Sequence, residues 1–535
     1  MSSTALPPPA PPTGETGRSR RRWPWLVAAL SVALVLVTTG LVVVVRDRAE
    51  ARRELDALRK QLEGQQAAEA PSSDEGSAQP GDGGDAPPQG DGPPQGDAPP
   101  QGDAPPRGDA PSETPREQGG LQDLLDQLMG SAGMPNVDPA CFADVLGEGG
   151  GESIEGTVEE QVAAIAPIVE DLRGLRFEDG VEPDFRTSDE FERELAKTVE
   201  SEYPAAQADL DSRALQLLGA IPKGTDLKAL QSEVLEGQVA GYYDPDTGEI
   251  VVRVPDAGES LDLNGQVTLA HELDHALTDQ ALGLPAADDE GRSDANLAAT
   301  ALVEGDATLL MQQFSFAAAS LMDQLGSALS PDTLAAQGQL EDVPAYLRNE
   351  LMFPYLSGLS YACRLYVDGG WPAVDAAYDD LPQTTAEILF PEAAGEAPED
   401  PTDPSSPGGG WTQARRDTLG AAPLLWLLQA PGGDEEAAVD GAEDAARQWA
   451  GGELTLFTDG DRSALAVALV ANDDGAVLCD TVQAWYQAAF DTTSEESGGV
   501  TVLAGGGQVG ALACDGDDVR LGIGPDEATA VALSH

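Results

Sequence analysis

Apolar positions change rhythm several times along the 535 residues. The first block is continuous: 25-WLVAALSVALVLVTTGLVVVV-45 carries no charge over 21 residues. At a rise of about 1.5 Å per residue it matches a ~30 Å hydrocarbon core, which predicts one transmembrane helix. It ends at Arg46-Asp47-Arg48. A cleaved signal peptide would have a shorter apolar stretch and a small-residue cleavage site, so the run reads as an uncleaved anchor. Residues 46–66 are rich in charge, with Leu55, Leu58 and Leu62 as the heptad-like positions, and they predict a solvated juxtamembrane helix. Residues 67–120 have no large apolar side chain to bury, and 84–111 repeat GDAPPQ-like hexapeptides. Proline and like charges hold such a segment extended, so it is a disordered spacer.

From residue 121 the pattern becomes that of a folded chain. The segments 121-LQDLLDQLMG-130, 157-TVEEQVAAIAPIVEDLRGL-175 and 187-TSDEFERELAKTVESEY-203 carry apolar residues at helical spacing. In 238-QVAGYYDPDTGEIVVRV-254 two β-rich arms flank Asp244-Pro245-Asp246-Thr247-Gly248, a hairpin signature. Val267, Ala270, Leu273, Leu277 and Ala281 return to helical spacing, with Asn264 as the expected N-cap and Gly283 and Pro285 as the stop. A further helix begins near 295, in 295-ANLAATALVEGDATLLMQQF-314. An acidic Pro/Gly/Ser-rich break occupies 392–410. Beyond it, 412–451 and 480–491 read as helical, and 499–524 as short strands with glycine turns. The expected organisation is a basic tail (1–24), a span (25–45), a charged helix (46–66), a linker (67–120), a folded domain (121–391), an acidic loop (392–410) and a C-terminal α/β subdomain (411–535).

Charge restricts the partners. With 29 basic and 94 acidic residues the formal charge is −65, which repels phosphate backbones, so nucleic acid is excluded as a partner. Arginines lie on both sides of the span, Arg18, Arg20, Arg21 and Arg22 before it and Arg46, Arg48, Arg52 and Arg53 after it, so the positive-inside rule is nearly neutral. The preceding tail is short, and all four cysteines follow the span. Both point to a cytoplasmic N terminus and an extracytoplasmic bulk. Cys141, Cys363, Cys479 and Cys514 form no CxxC pair; an even number outside the cytoplasm suggests disulfides, with three connectivities open.

The chain has only three histidines, and two of them fall in 271-HELDH-275. On a helix, His271 and His275 stack on one face and can take two corners of a tetrahedral Zn²⁺. Glu272 points about 100° away, within reach of a metal-polarised water. A third protein ligand is needed. His535 is the last residue, in a tail expected to fray, so the ligand should be a carboxylate. Glu304 lies in an apolar, alanine-rich run where a carboxylate is costly without a charged partner. It is the candidate ligand, Asp306 is a candidate hydrogen-bond partner for a ligand histidine, and Gly305 allows a neighbouring helix to approach. Asp279 and Asp306 itself are the alternatives. Asp279 is disfavoured, because four residues of helix carry it ~6 Å further along the axis.

The HELDH pentapeptide with a downstream glutamate resembles the gluzincin division of zinc metallopeptidases. More narrowly, 241-GYYDPDTGEIVV-252, 270-AHELDHALTDQ-280, 301-ALVEGDA-307 and 353-FPYLSGLSYACRLYVDGGW-371 resemble bacterial peptidase-MA-like membrane proteins. The resemblance covers roughly 200–390, with a weaker echo in 445–457 that carries no site. It implies one Zn²⁺ per chain on His271, His275 and Glu304, and Glu272 as the general base. It also implies an edge of the 238–254 hairpin that pairs with substrate backbone. An oxyanion donor is then needed, and Tyr355 and Tyr361 lie in a resembling segment.

These readings predict an α+β protein. Its mainly helical, zincin-like metallopeptidase domain has a small β hairpin before the HExxH helix, and follows a single transmembrane helix and a disordered linker. The expected activity is hydrolysis of peptide bonds in a peptide or protein substrate by a membrane-anchored enzyme, with residues 25–45 in the lipid bilayer. The alternative is a non-catalytic zinc-fold binding or sensory module at the cell surface.

Overall fold

The computed structural model describes residues 137–146, 154–254, 260–286, 294–392, 398–473 and 475–535. The expected span at 25–45, the charged helix at 46–66, the linker and the helix at 121–130 lie outside these residues. Among the described residues no helix is long and apolar enough to cross a membrane.

Among the described residues the fold is α+β, with fifteen labelled helices and two sheets. After single helical turns at Pro139–Phe142 (3-10) and Ala143–Leu146 (α), the first half contains α1 (Val158–Arg173), β1 (Asp184–Thr187), α2 (Ser188–Glu202), α3 (Ala205–Leu217) and α4 (Leu227–Gln238). It continues with the hairpin β2 (Gly241–Asp244) and β3 (Glu249–Val254), then α5 (Leu263–Ala281) and α6 (Asp294–Ala318). There follow α7 (Leu321–Ala328), α8 (Pro331–Glu341), α9 (Ala345–Gly369), α10 (Trp371–Asp379) and α11 (Thr385–Leu389). The second half contains β4 (Thr412–Thr418), α12 (Ala421–Gln429), α13 (Ala442–Arg447), β5 (Trp449–Asp459), β6 (Arg462–Ala471) and α14 (Ala476–Phe490). It closes with β7 (Thr493–Ser497), β8 (Val500–Gly505), β9 (Gln508–Asp515), β10 (Asp518–Gly524) and α15 (Glu527–Leu533).

The hairpin turns where its sequence specifies. Gly248 takes φ +73°, and its N–H donates to the Asp244 carbonyl at 2.7 Å. The sheet has order β1-β3-β2, so β2 is an edge strand; β1 runs parallel to β3, an addition the sequence pattern did not indicate. Thr157 and Glu160 form a capping box that starts α1, and Gly174 in the left-handed region ends it. Helix α5 begins two residues earlier than expected. Asp262, not Asn264, is the N-cap and accepts from the Gly265 N–H. Asn264 lies inside the helix, where it meets Thr333 and Ser327. Gly283, at φ +81°, ends the helix as expected.

The segment 412–451, expected to be helical, is helical only in part. It opens with strand β4 and enters strand β5 at Trp449, with helices α12 and α13 between. These strands belong to a seven-stranded antiparallel sheet of order β4-β5-β6-β10-β9-β8-β7. The strands expected at 499–524 are β8, β9 and β10. His535 is not in a frayed tail, because its carbonyl accepts from the Ser405 N–H at 3.2 Å and Ser534 beside it is buried. One apolar cluster runs from Leu215 and Leu218 through Tyr346 and Phe353 to Leu465, Val467 and Leu521. The C-terminal sheet thus shares a core with the helices before it, and all described residues fall in one compact unit. A second cluster joins α1, the hairpin, α5 and α6 around Ile165, Ile250, Leu273 and Phe314.

Two disulfides close the chain, Cys141–Cys363 and Cys479–Cys514. The first ties the segment before α1 to α9, and the second ties α14 to β9.

Candidate metal centre

Helices α5 and α6 pack side by side, and each brings its polar residues to the contact. The Nε2 atoms of His271 and His275 are 3.0 Å apart. One carboxylate oxygen of Glu304 lies 3.1 Å from the first and 3.4 Å from the second. All three residues are buried, and the group could hold a metal ion. The spacing can be tested against an ion. Tetrahedral ligands at 2.0–2.1 Å from Zn²⁺ are about 3.3 Å from one another, close to the three separations found. The donor set of two imidazoles and one carboxylate also suits that ion.

The electrostatics match. Burial pushes the His271 imidazole down. Burial also acts to lower His275, but Glu304, Glu272 and Asp274 outweigh it and raise that imidazole to about 9. For Glu304, burial acts upward, but the two imidazoles outweigh it and bring the carboxyl down to about 2. A buried carboxylate thus already faces positive charge, the place a cation would take.

The crossing of α6 and α9 depends on glycine. A Cβ on Gly305 would stand 2.2 Å from the Gly358 carbonyl oxygen, and a Cβ on Gly358 would stand 2.1 Å from that of Ala301. The approach anticipated at Gly305 is therefore backbone against backbone. It brings Tyr355 of α9 to the site, fully buried, its ring centroid 6.3 Å from that of His271. Tyr361 is not brought there; it lies under the Arg364 guanidinium and packs against the other core cluster.

Glu272 is fully buried one residue after His271. Strand β2 runs against it: a Cβ on Gly241 would be 3.3 Å from Glu272 Cγ and 3.0 Å from Thr268 Cγ2. Asp279 is used elsewhere, accepting from the Tyr243 hydroxyl at 2.7 Å and the Leu284 N–H at 3.0 Å.

Asp306 does not bond a ligand histidine. Its carboxylate accepts from Arg173 at 3.0 Å and from the Tyr378 hydroxyl at 2.8 Å. Arg173, the last residue of α1, is buried and also pairs with Asp375 at 2.6 Å and Asp274 at 3.7 Å. Its guanidinium lies 4.5 Å from the centroid of the Trp371 ring. Burial disfavours the charged guanidinium, yet the three aspartates more than restore it. Burial also lifts the Asp274 carboxyl well above its usual range. Asp274 adjoins His275, and Asp306 is two residues after Glu304, so Arg173 clamps both ligand-bearing helices. Sequence reasoning missed this residue. The available signal was the aspartates Asp274, Asp306 and Asp375 in largely apolar stretches of a chain short of cations.

No protein-family model, curated protein or solved structure matches the chain.

Proposed function

We propose that the chain is a zinc-dependent peptidase of gluzincin type, held at a membrane by residues 25–45 with its folded part outside the cytoplasm. The observation that carries the reading is the convergence of His271, His275 and Glu304 with Glu272 next on the same helix. His271, His275 and Glu304 would hold the ion. Bound there, Zn²⁺ supplies Lewis acidity that polarises a carbonyl and acidifies water. Glu272 accepts the proton as water oxygen bonds to the peptide carbonyl carbon. As the C–N bond breaks, Glu272 returns that proton to the leaving amine. Strand β2, at the sheet edge and against Glu272, offers main-chain groups to an extended substrate. Tyr355 is the candidate donor to the developing oxyanion. The two disulfides support an oxidising compartment, and the acidic charge argues against nucleic acid.

The test is cleavage of an unstructured protein such as casein. Wild type should cleave, and Glu272→Gln should be inert while retaining one zinc. Equal inertness over a broad substrate panel would favour the second reading, a zinc-fold binding or sensory module. One observation favours that alternative: His271, His275 and Glu304 are only 0, 4 and 3% exposed, so a substrate must reach a nearly closed site.

A further inference from the structure

Away from the metal centre, α3, α4 and the first turns of α6 and α9 meet strands β4 to β6 around a cavity of about 210 Å³. That exceeds the ~150 Å³ of an engineered apolar cavity known to bind benzene. Leu218, Leu297, Leu347 and Leu456 are among its walls, and aliphatic side chains supply most of the surface. Ligand sites typically have this composition, a mostly apolar lining with a few placed polar groups.

Beside groups that can donate, such as Thr300 and Tyr346, the polar lining holds one unpaired acceptor and four carboxylates. The side-chain carbonyl oxygen of Gln231 is buried at the cavity without a hydrogen-bond donor. Leaving such an acceptor unpaired costs about 1–3 kcal/mol. Asp211, Asp294, Glu350 and Asp417 also line the cavity, against one cation, Arg415. That cation is already engaged, with Asp211 at 3.2 Å and Asp417 at 2.9 Å. The excess of negative charge, with the unpaired Gln231 oxygen, disfavours a carboxylate or phosphate head group and favours a cationic donor.

We infer that this cavity is a binding site for small apolar amines, with the hydrocarbon among the leucines and the ammonium donating to Gln231. The inference is independent of the peptidase reading, because no residue it uses touches the metal centre.

The experiment is calorimetric titration of the full chain with n-hexylamine, protonated at neutral pH, alongside hexanoate and spermidine. Hexylamine should bind once per chain, at least tenfold more tightly than hexanoate, whereas spermidine, which lacks an apolar body, should not compete. Gln231→Leu should weaken hexylamine at least about fivefold. Leu297→Trp, which fills the cavity, should abolish binding, and Val234→Trp from another wall does the same job if the first variant fails to fold. No saturable hexylamine binding would overturn the assignment. So would equal affinity for hexanoate, displacement by spermidine (a surface charge effect), or binding that survives a folded cavity-filling variant.

Discussion

Replacing Gly305 by alanine adds one methyl group at the tightest point behind the metal ligands. The new Cβ would lie 2.2 Å from the Gly358 oxygen and 2.3 Å from its carbonyl carbon. Ordinary contact begins at 3.4 Å, so α6 and α9 must separate by 3.4 − 2.2, or 1.2 Å, at this level. No side chain can rotate away, because both atoms belong to the backbone. Overpacking of a core costs about 1–3 kcal/mol, and a backbone clash belongs at or above the top of that range. Alanine returns up to about 1 kcal/mol of helix propensity, so the net loss should be at least ~2 kcal/mol. Gly338→Ala in α8 is the control: nothing lies within 4 Å of its added Cβ, so it should gain a few tenths to ~1 kcal/mol. Urea unfolding of both variants beside wild type measures the difference. Zinc affinity should fall with Gly305→Ala, since Glu304 moves with the helix. If Gly305→Ala were as stable as Gly338→Ala, the close crossing of α6 and α9 would be refuted.

Arg173→Met should cost about 3–5 kcal/mol in urea unfolding, because it leaves Asp274 and Asp306 buried without their cation; adding Asp306→Asn should recover part of that loss. Removing Cys141–Cys363, which closes a separation of 222 residues, should cost roughly 5 kcal/mol against roughly 4 kcal/mol for Cys479–Cys514 at 35, by loop-closure entropy; equal losses would count against that argument. Burial lifts the Asp294 carboxyl from 3.8 to about 6, despite the hydrogen bonds from Thr385. The folded state then binds this proton more tightly than the unfolded state. The group's contribution is fully present below pH ~4 and falls by up to ~3 kcal/mol as pH rises through about 6. Measured against Asp294→Asn, wild-type stability should decline over that window, and a flat difference would contradict the assignment.

Local chemistry made much of the site legible in sequence. The stacked His271 and His275 follow from a spacing of four on a helix. Glu304 stood out as a carboxylate in an apolar run, and Asp244-Pro245-Asp246-Thr247-Gly248 announced its own turn. Features that depend on distant partners were not legible. Arg173 reads as an ordinary basic residue at the end of an amphipathic helix until Asp306, 133 positions away, folds against it. Strand β1 has only four residues, too few for alternation to register. Strand β4 is a polar edge strand, TQARRDT, with no buried residue to set a period of two. The alanine-rich stretch that follows forms helices α12 and α13, and its helical pattern masks the strand before it.

Metal analysis of the purified chain, combined with an anomalous-scattering map at the zinc edge, tests the central claim most directly. The account predicts one zinc per chain, seated between His271, His275 and Glu304 and lost in His271→Ala and in Glu304→Ala. A folded chain that stays metal-free under zinc loading, or an ion bound elsewhere with the two imidazoles bare, would contradict it.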